Sequence, residues 1–427
     1  MKFDRKAMLT MTAGAAAGGL MAAPSARAAD PTPGNDDVIF EGVGDGVADD
    51  GPALQAALDR LAAAAGGRLV VPHGTFRIAT AVRGDFTRKA AGVRIVGSGS
   101  ASRILIATGV AADAITFAGC FDLVISDLYF VGTPGQADDA RCALLLTNCE
   151  KAWIRSCGFV GLAVAAATAR AVIYASVCDL RISECRFGGC TASSGRNKSV
   201  VEVDQWRGIQ VENTDFVDWA WLGDVYYSKT PQRSAYSWIT VSRAQDHYND
   251  GMDPNEAIFR NLRLDEGAYV PLSVRAANGP RVANVLVENV GVNGNEASGG
   301  IGMYFRNVDR LKIRASLVGL QQGGSRRNAV QLNDVVHTEI ERLVARGTYD
   351  QITTVNCPTL ILEDCTYGSL STTGTTVITG TSPAMLSAAG DVTGLPPGKG
   401  LVVMSPNGQV KKRIGIDDSG AVAVTDV

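Results

Sequence analysis

A repeat of 22 to 29 residues is the sequence feature that most constrains the fold of this chain. Each repeat has an apolar anchor residue, followed five positions later by a second residue that is usually apolar. Seven of the eight intervals between successive anchors fall in this range, and the other is 48 residues. Repetition at this length is typical of solenoids, whose coils stack one on the next. The pairs are Ile125/Phe130, Ile154/Phe159, Ile182/Phe187, Val211/Phe216, Phe259/Leu264, Val287/Val292, Ile313/Val318, Ile340/Ala345 and Leu362/Tyr367.

Residues upstream of the anchors alternate in character, as strands with one inward face do. Positions ten and eight before an anchor are mostly apolar and are predicted to point inward. Position nine is more polar and is predicted to point outward. In the coil of Ile182 this count places Ile173 outward and Tyr174 inward. We therefore predict an all-β chain that forms a right-handed parallel β-helix, with coils about 4.8 Å apart. The predicted outward column includes Glu202, Asp250, Asn278, Tyr304 and Gln331.

The nine cysteines follow the same columns. Cys157, Cys185 and Cys365 share one column, while Cys120 and Cys149 share another with Cys357. Their number is odd, and no CxxC pair indicates a metal site. We predict reduced thiols that fill the interior as small apolar groups.

Composition excludes some classes of protein. Hydrophobic residues make up 46% of the chain, which excludes intrinsic disorder. The formal net charge is −3, so the sequence gives no reason to expect a nucleic-acid partner.

The first 28 residues have the pattern of an export signal. A basic start with Lys2, Arg5 and Lys6 precedes an Ala/Gly-rich stretch, and the segment ends in Ala26-Arg27-Ala28. Both a twin-arginine signal and an ordinary secretory signal fit this pattern. We predict a periplasmic or extracellular protein that is not membrane-bound once the signal is removed.

Residues 38–78 contain a recognisable motif. Gly44-Asp45-Gly46 leads to Asp49-Asp50, then to Ala53-Leu54-Gln55 and Gly66-Gly67, and the stretch ends in Gly74-Thr75-Phe76. This pattern resembles the N-terminal segment of the pectate-lyase-like superfamily, in its rhamnogalacturonase/epimerase-like group. The resemblance implies a β-helix preceded by a short helical segment.

The motif also predicts a capping helix over 52–63. Asp49 or Asp50 can cap its start, next to Pro52. Its apolar face can cover the open end of the β-helix. We interpret both aspartates as structural.

The predicted organisation has four parts. Residues 1–28 are the signal, 29–66 the N-terminal segment with its helix, and 67–392 the β-helix. Residues 400–427 form a C-terminal β-meander, because three short apolar runs are separated by two turn sequences. The sequence leaves a monomer and a homotrimer both open.

The 48-residue interval between Val211 and Phe259 contains the most distinctive chemistry. It is rich in aromatic residues, in a chain with only 6% aromatics, and Trp and Tyr suit stacking on sugar rings. Its later part, 243–256, is the densest polar cluster of the chain. We predict a polysaccharide partner bound in a groove of the β-helix. The predicted catalytic residues are Asp250, Glu202, His247, Asp253 and Asp204. The predicted substrate-binding residues are Arg243, Arg275, Arg306, Tyr304, Tyr248, Trp219 and Trp221.

Two further resemblances concern this cluster. The run from Asn249 to Asp253 is similar to the N-x-D-G-x-D region of polygalacturonase-type glycosidases. The run from Gly251 to Glu256 is similar to a signature of alginate C5-epimerases. Each similarity rests on aspartates alone, so neither activity follows from it.

Several functions therefore stay open. A hydrolase needs an acid and a base carboxylate. A lyase or C5-epimerase needs a cation beside a uronate carboxylate, and a base to remove the C5 proton. We expect no cofactor, with Asp246 and Asp250 as weak calcium candidates. We predict a hydrolase or a lyase. A C5-epimerase is one alternative, and a polysaccharide-binding or tailspike-like adhesin without catalysis is the other.

Overall fold

The computed structural model confirms a nearly all-β chain built as a parallel β-helix. It describes residues 37–86, 92–110, 112–133, 142–164, 171–192, 199–204, 206, 208–217, 219–222, 225–228, 237–243, 256–265, 270–276, 281–293, 300–320, 327–347, 349–373, 377–380, 401–404, 411–416 and 422–426.

The elements follow one another with short connections. The helices are α1 (Gly51–Ala63) and a 3-10 turn (Gly99–Ala101). The strands are β1 (Val38–Ile39), β2 (Asp45–Asp49), β3 (Gly67–Val70), β4 (Gly74–Ile78), β5 (Val82–Asp85), β6 (Val93–Val96), β7 (Ser102–Ile106), β8 (Asp113–Ala118), β9 (Leu123–Ser126), β10 (Tyr129–Val131), β11 (Cys142–Thr147), β12 (Ala152–Arg155), β13 (Gly158–Val160), β14 (Ala163–Val164), β15 (Ala171–Ser176), β16 (Leu180–Ser183), β17 (Arg186–Gly188), β18 (Thr191–Ala192), β19 (Ser199–Asp204), β20 (Gly208–Val217), β21 (Trp219–Leu222), β22 (Val225–Ser228), β23 (Ser237–Arg243), β24 (Glu256–Leu264), β25 (Leu272–Ala276), β26 (Val282–Asn293), β27 (Met303–Arg314), β28 (Leu317–Leu320), β29 (Arg327–Glu341), β30 (Val344–Gly347), β31 (Tyr349–Val355), β32 (Thr359–Glu363), β33 (Ser369–Thr373), β34 (Val377–Gly380), β35 (Leu401–Met404), β36 (Lys411–Ile416) and β37 (Val422–Asp426).

Parallel pairing arranges these strands in three columns. The first column contains β5, β8, β11, β15, β19, β23, β25, the first halves of β27 and β29, β31 and β33. The second begins with β1, β3, β6, β9, β12 and β16, and continues through β20 and later strands to β34. The third runs from β2 and β4 to β28 and β30. All nine predicted anchors lie opposite one another in the second column, so the predicted repeat is confirmed.

Phenylalanine rings stack inside the third column. Phe130, Phe159, Phe187 and Phe216 lie on successive coils, with ring centroids 4.9, 4.6 and 4.5 Å apart. Neighbouring ring planes differ by only 6°, 5° and 2°. The regular spacing of the backbone therefore continues through the side chains of the core.

The cysteines are buried and free, as predicted. Burial raises the pKa of the Cys157, Cys357 and Cys365 thiols. A protonated, buried thiol is a poor nucleophile, so these side chains act as core residues.

Many corners between columns use a residue with positive φ. Asn213, Asn261 and Asn289 take this conformation between the second and third columns. Their side chains form a ladder: Asn289 Nδ2 donates to Asn261 Oδ1 at 2.9 Å, and Asn261 Nδ2 donates to Asn213 Oδ1 at 2.9 Å. Asparagine tolerates the left-handed conformation better than most residues, so it suits a corner repeated on each coil.

Helix α1 confirms the predicted helix. Leu54, Leu58 and Leu61 are buried in the main core. The Gln55 amide contacts the Arg83 backbone, with Arg83 N donating to Oε1 at 2.8 Å and Nε2 donating to the Arg83 carbonyl at 2.8 Å. Gln55 thus satisfies both polar groups of one residue on the edge of β5.

The capping prediction for Asp50 is wrong in detail, because its side chain makes no cap hydrogen bond to the helix. Its carboxylate instead accepts the N–H groups of Val43 at 2.6 Å and Arg77 at 3.1 Å. Asp49 Oδ1 accepts the N–H of Gly51, the first helical residue, at 3.0 Å. Both aspartates make the backbone contacts expected of structural residues.

The predicted C-terminal meander is present as the antiparallel strands β35, β36 and β37. Within the described parts of the chain, no helix has the length and apolarity needed to cross a membrane.

Candidate functional site

The first strand column presents two rows of side chains on its outer face. Strand pairing aligns the first row, named here the Glu202 row, from Glu202 through Thr240, Ser273, Tyr304 and Gln331. The second row lies two positions further along each strand and is named here the Asp204 row. It contains Asp204, Ser242, Arg275, Arg306 and Asn333.

The two rows differ in their access to solvent. Thr240 and Ser273 are buried, with exposures of 0% and 1%, so they interrupt the Glu202 row. In the Asp204 row the side chains are half-buried from Asp204 to Arg275, and Arg306 is exposed. The Asp204 row is therefore the more continuous surface for an extended ligand.

Hydrogen bonds position side chains at both ends of this face. The Tyr174 hydroxyl on the preceding coil donates to Asp204 Oδ2 at 3.2 Å. Further along, Asn333 Nδ2 donates to the Tyr304 hydroxyl at 3.2 Å. Fixed side chains lose less conformational entropy when a ligand binds.

The charges of the second column provide a contrast. Along it, Glu212, Arg260, Glu288, Arg314 and Glu341 alternate in sign from coil to coil. Arg260 Nε lies 2.8 Å from Glu288 Oε2, and Arg314 Nε lies 3.3 Å from Glu341 Oε2. This arrangement pairs opposite charges across neighbouring strands and stabilises the register.

The Asp204 row breaks that rule, because Arg275 lies directly opposite Arg306. Like charges at directly opposite positions destabilise a sheet. Within the described parts of the chain, Arg306 forms no ion pair. Two neighbouring guanidinium groups on an accessible face form an arrangement that a bound anion would stabilise.

Coil spacing sets the scale of this face. Arg275 and Arg306 lie one coil apart, about 4.8 Å between backbones. Asp204 and Arg275 lie two coils apart, about 10 Å. Glu202 and Asp204 lie on the same strand face, with Cα atoms about 6.6 Å apart.

The predicted position of Asp250 in the outward column is wrong. The place between Glu202 and Ser273 belongs to Thr240, and Ile239 and Val241 are its inward neighbours. Residues 244–255 intervene between β23 and β24, so counting back from the Phe259 anchor ends in this insertion. The coil therefore keeps an apolar inward face, contrary to the prediction. Asn278 is displaced in the same way by Ser273.

Other predicted residues of this cluster lie outside the described residues. They are Asp246, His247, Tyr248, Asp250 and Asp253. The backbone of Arg243 ends β23, but its side chain is not described. The roles of these residues stay predictions. Among the described residues, no group of three or more His, Cys, Asp or Glu side chains is placed to hold a metal ion.

Tyr174 is a site residue that the sequence count missed. It pairs with Glu202, so it points outward, while Ile173 pairs with Val201 and is buried. The turn after β15 is one residue shorter than in the preceding coil, which shifted the count by one position. Aligning the alternation of Ile173-Tyr174-Ala175-Ser176 with Val201-Glu202-Val203-Asp204 would have found it.

The aromatic excursion contains the hairpin of β21 and β22. Leu222 of β21 packs on Val131 and Val160 of the third column. The side chains of Trp219 and Trp221 are not described, so their role stays a prediction. Trp238 is a core residue with 1% exposure, and its Nε1 donates to the Asp265 carbonyl at 2.7 Å.

Comparisons with known proteins find similar folds only among solved structures. No protein-family model matches the chain, and no curated protein matches it. The surface adhesin PfbA of Streptococcus pneumoniae is 12% identical with a TM-score of 0.47, covering 91% of this chain and 97% of its own. ORF18 of Geobacillus virus E2 is 14% identical with a TM-score of 0.45, covering 92% and 76%. The A-module of the mannuronan C-5 epimerase AlgE6 of Azotobacter vinelandii is 15% identical with a TM-score of 0.38, covering 84% and 98%. These values are too low to support an argument about function.

Proposed function

We propose that this chain is an exported protein that cleaves or modifies an acidic polysaccharide along the Asp204 row. The observation that carries the proposal is the in-register pair of Arg275 and Arg306 on the same face as two carboxylates. The charge pattern favours a ligand that brings its own negative charge.

A uronic acid residue has the required chemistry. Its carboxylate can accept charge-assisted hydrogen bonds from a guanidinium group, with a planar geometry that matches. Tyr304 lies on the same strand two positions from Arg306, and its aromatic ring offers an apolar surface for a sugar face.

Glu202 and Asp204 are the proposed acid and base. In a hydrolase the two carboxyl groups act together, and a separation of about 6.5–9.5 Å is typical of inversion. Their Cα separation of about 6.6 Å is compatible with that range. In a lyase the arginines neutralise the uronate, and one carboxylate removes the C5 proton. The Tyr174 hydroxyl then positions Asp204 by its hydrogen bond.

A panel of polysaccharides tests the proposal. Purified protein is incubated with alginate, polygalacturonate, and neutral polymers such as dextran. Reducing ends and the ultraviolet absorbance of unsaturated uronates are measured together. An increase in both indicates a lyase, and reducing ends alone indicate a hydrolase. Binding without either product indicates an epimerase or an adhesin, which C5 stereochemistry by NMR separates.

Variants then test the residues on the polymer identified. Asp204→Asn and Glu202→Gln should each lower turnover at least about a hundredfold, the low end of an acid–base contribution. Glu288→Gln is the matched control, because Glu288 lies in the second column and pairs with Arg260. Wild-type turnover by both Asp204→Asn and Glu202→Gln would place the active site elsewhere.

Export is a separate part of the proposal. N-terminal sequencing of protein from the periplasm or medium should begin after Ala28. An intact N-terminus in the cytoplasmic fraction alone would contradict export.

A further inference from the structure

The outer face of the second column holds a cleft of about 320 Å³. Its floor is formed by Trp153, Arg181, Gln210 and Ile258, which lie opposite one another on successive coils. The cleft lies in a different strand column from the Asp204 row. It has no part in the proposed function.

Trp153 is held in a fixed orientation. Its Nε1 donates to Ser183 Oγ at 2.9 Å. The guanidinium carbons of Arg181 and Arg155 lie 4.8 and 5.1 Å from its ring centroid. A ring fixed by three contacts loses little freedom when a ligand packs against it.

The charges of the cleft do not suit a polyanion. Asp122, Asp179 and Glu256 line it, together with two cationic groups, Lys151 and Arg181. Arg181 already pairs with Glu212, and this leaves a surplus of carboxylates in the cleft. An acidic polymer would therefore be repelled where the Asp204 row would attract it.

Polar groups remain for a ligand with hydroxyls. Gln210 Nε2 donates to Glu212 Oε2 at 2.8 Å, so its carbonyl oxygen is directed elsewhere. Lys151 is exposed and forms no ion pair with any described residue. Donors and acceptors next to an indole and Ile258 match the mixed polar and apolar surface of a neutral sugar.

The length of the cleft fits an extended chain. From the coil of Asp122 to that of Glu256 it crosses four coil intervals, about 19 Å in all. We propose that this second-column cleft binds a stretch of neutral polysaccharide, separately from the acidic polymer of the Asp204 row.

Gly208 offers a variant that blocks the cleft without disturbing the fold. A Cβ at this position would meet no atom within 4 Å, and its φ does not lie in the left-handed region. Gly208→Leu therefore projects a side chain into the open cleft. Trp153→Ala removes the aromatic surface itself.

Affinity electrophoresis of the full chain tests the inference, with dextran, galactomannan or mixed-linkage β-glucan in the gel. At least one of these polymers should retard the wild type, and both variants should weaken that binding at least about tenfold. Circular dichroism checks the fold of each variant. A wild type that none of the three polymers retards, or variants that bind like the wild type, would overturn the inference. Loss of polygalacturonate binding in Trp153→Ala, with none in Arg306→Ala, would overturn it too and would relocate the acidic site.

Discussion

Phe187 tests whether stacked side chains stabilise this β-helix. It lies in the interior with 0% exposure, and its ring stacks on Phe159 at 4.6 Å and on Phe216 at 4.5 Å. Phe187→Ala should lower the free energy of unfolding by about 4–5 kcal/mol, the upper part of the range for buried phenylalanines. The cavity cannot collapse, because strand pairing holds the coils on both sides in place.

Phe130→Ala is the matched control. Phe130 stacks on a single ring, that of Phe159, and its other neighbour in the column is Ile104. Because it removes one aromatic pair instead of two, it should cost about 1 kcal/mol less than Phe187→Ala.

Guanidinium chloride unfolding, followed by circular dichroism and checked by refolding, measures both changes. The midpoint should fall while the slope stays the same. A loss below about 2 kcal/mol for Phe187→Ala, or equal losses for the two variants, would refute this reasoning.

Three other perturbations have defined outcomes. Asp50→Asn should lower the free energy of unfolding by about 2–3 kcal/mol, since an amide cannot accept both backbone N–H groups that the buried carboxylate accepts; an unchanged melting temperature would contradict this. Gln55→Ala should cost about 1–2 kcal/mol by leaving two backbone groups at the edge of β5 without a protein partner, whereas Gln55→Glu should retain only the bond from the N–H group. Burial opposes ionisation of Glu212, but hydrogen bonds from Arg181 and Gln210 outweigh it, so its pKa lies below the ordinary 4.5. Its contribution to stability is therefore complete above pH 4.5 and is lost as the pH falls through the folded-state value, and Glu212→Gln should make the acid-side fall in melting temperature shallower.

The interior of this fold could be predicted from the sequence for a simple physical reason. Each inward residue stacks on its counterpart one coil away, so the same apolar type recurs at nearly constant spacing. Ile125, Ile154 and Ile182 illustrate this, and the structure places them in register. The cysteines follow the same rule and lie in the core as reduced thiols.

The outer face was less predictable, because it depends on turns whose lengths vary. One residue fewer after β15 moved Tyr174 from the inside to the outside, next to Asp204. The insertion between β23 and β24 put Thr240 where Asp250 was expected. Arg275 was a predicted ligand, but its position opposite Arg306 emerges only from the strand register. The Trp153 cleft gave no sequence signal, since its lining comes from five separate coils.

The most direct test of the central claim measures binding of polygalacturonate and alginate by wild type, Arg306→Ala and Arg310→Ala in affinity gels. Arg310 is also exposed and lies on the same strand, but in its second-column half, so both variants remove one positive charge. Arg306→Ala should weaken binding of at least one of these polymers about tenfold or more, by losing a charge-assisted contact, and Arg310→Ala should bind like the wild type. Equal effects of the two variants, or full binding by Arg306→Ala, would contradict a polysaccharide site on the Asp204 row.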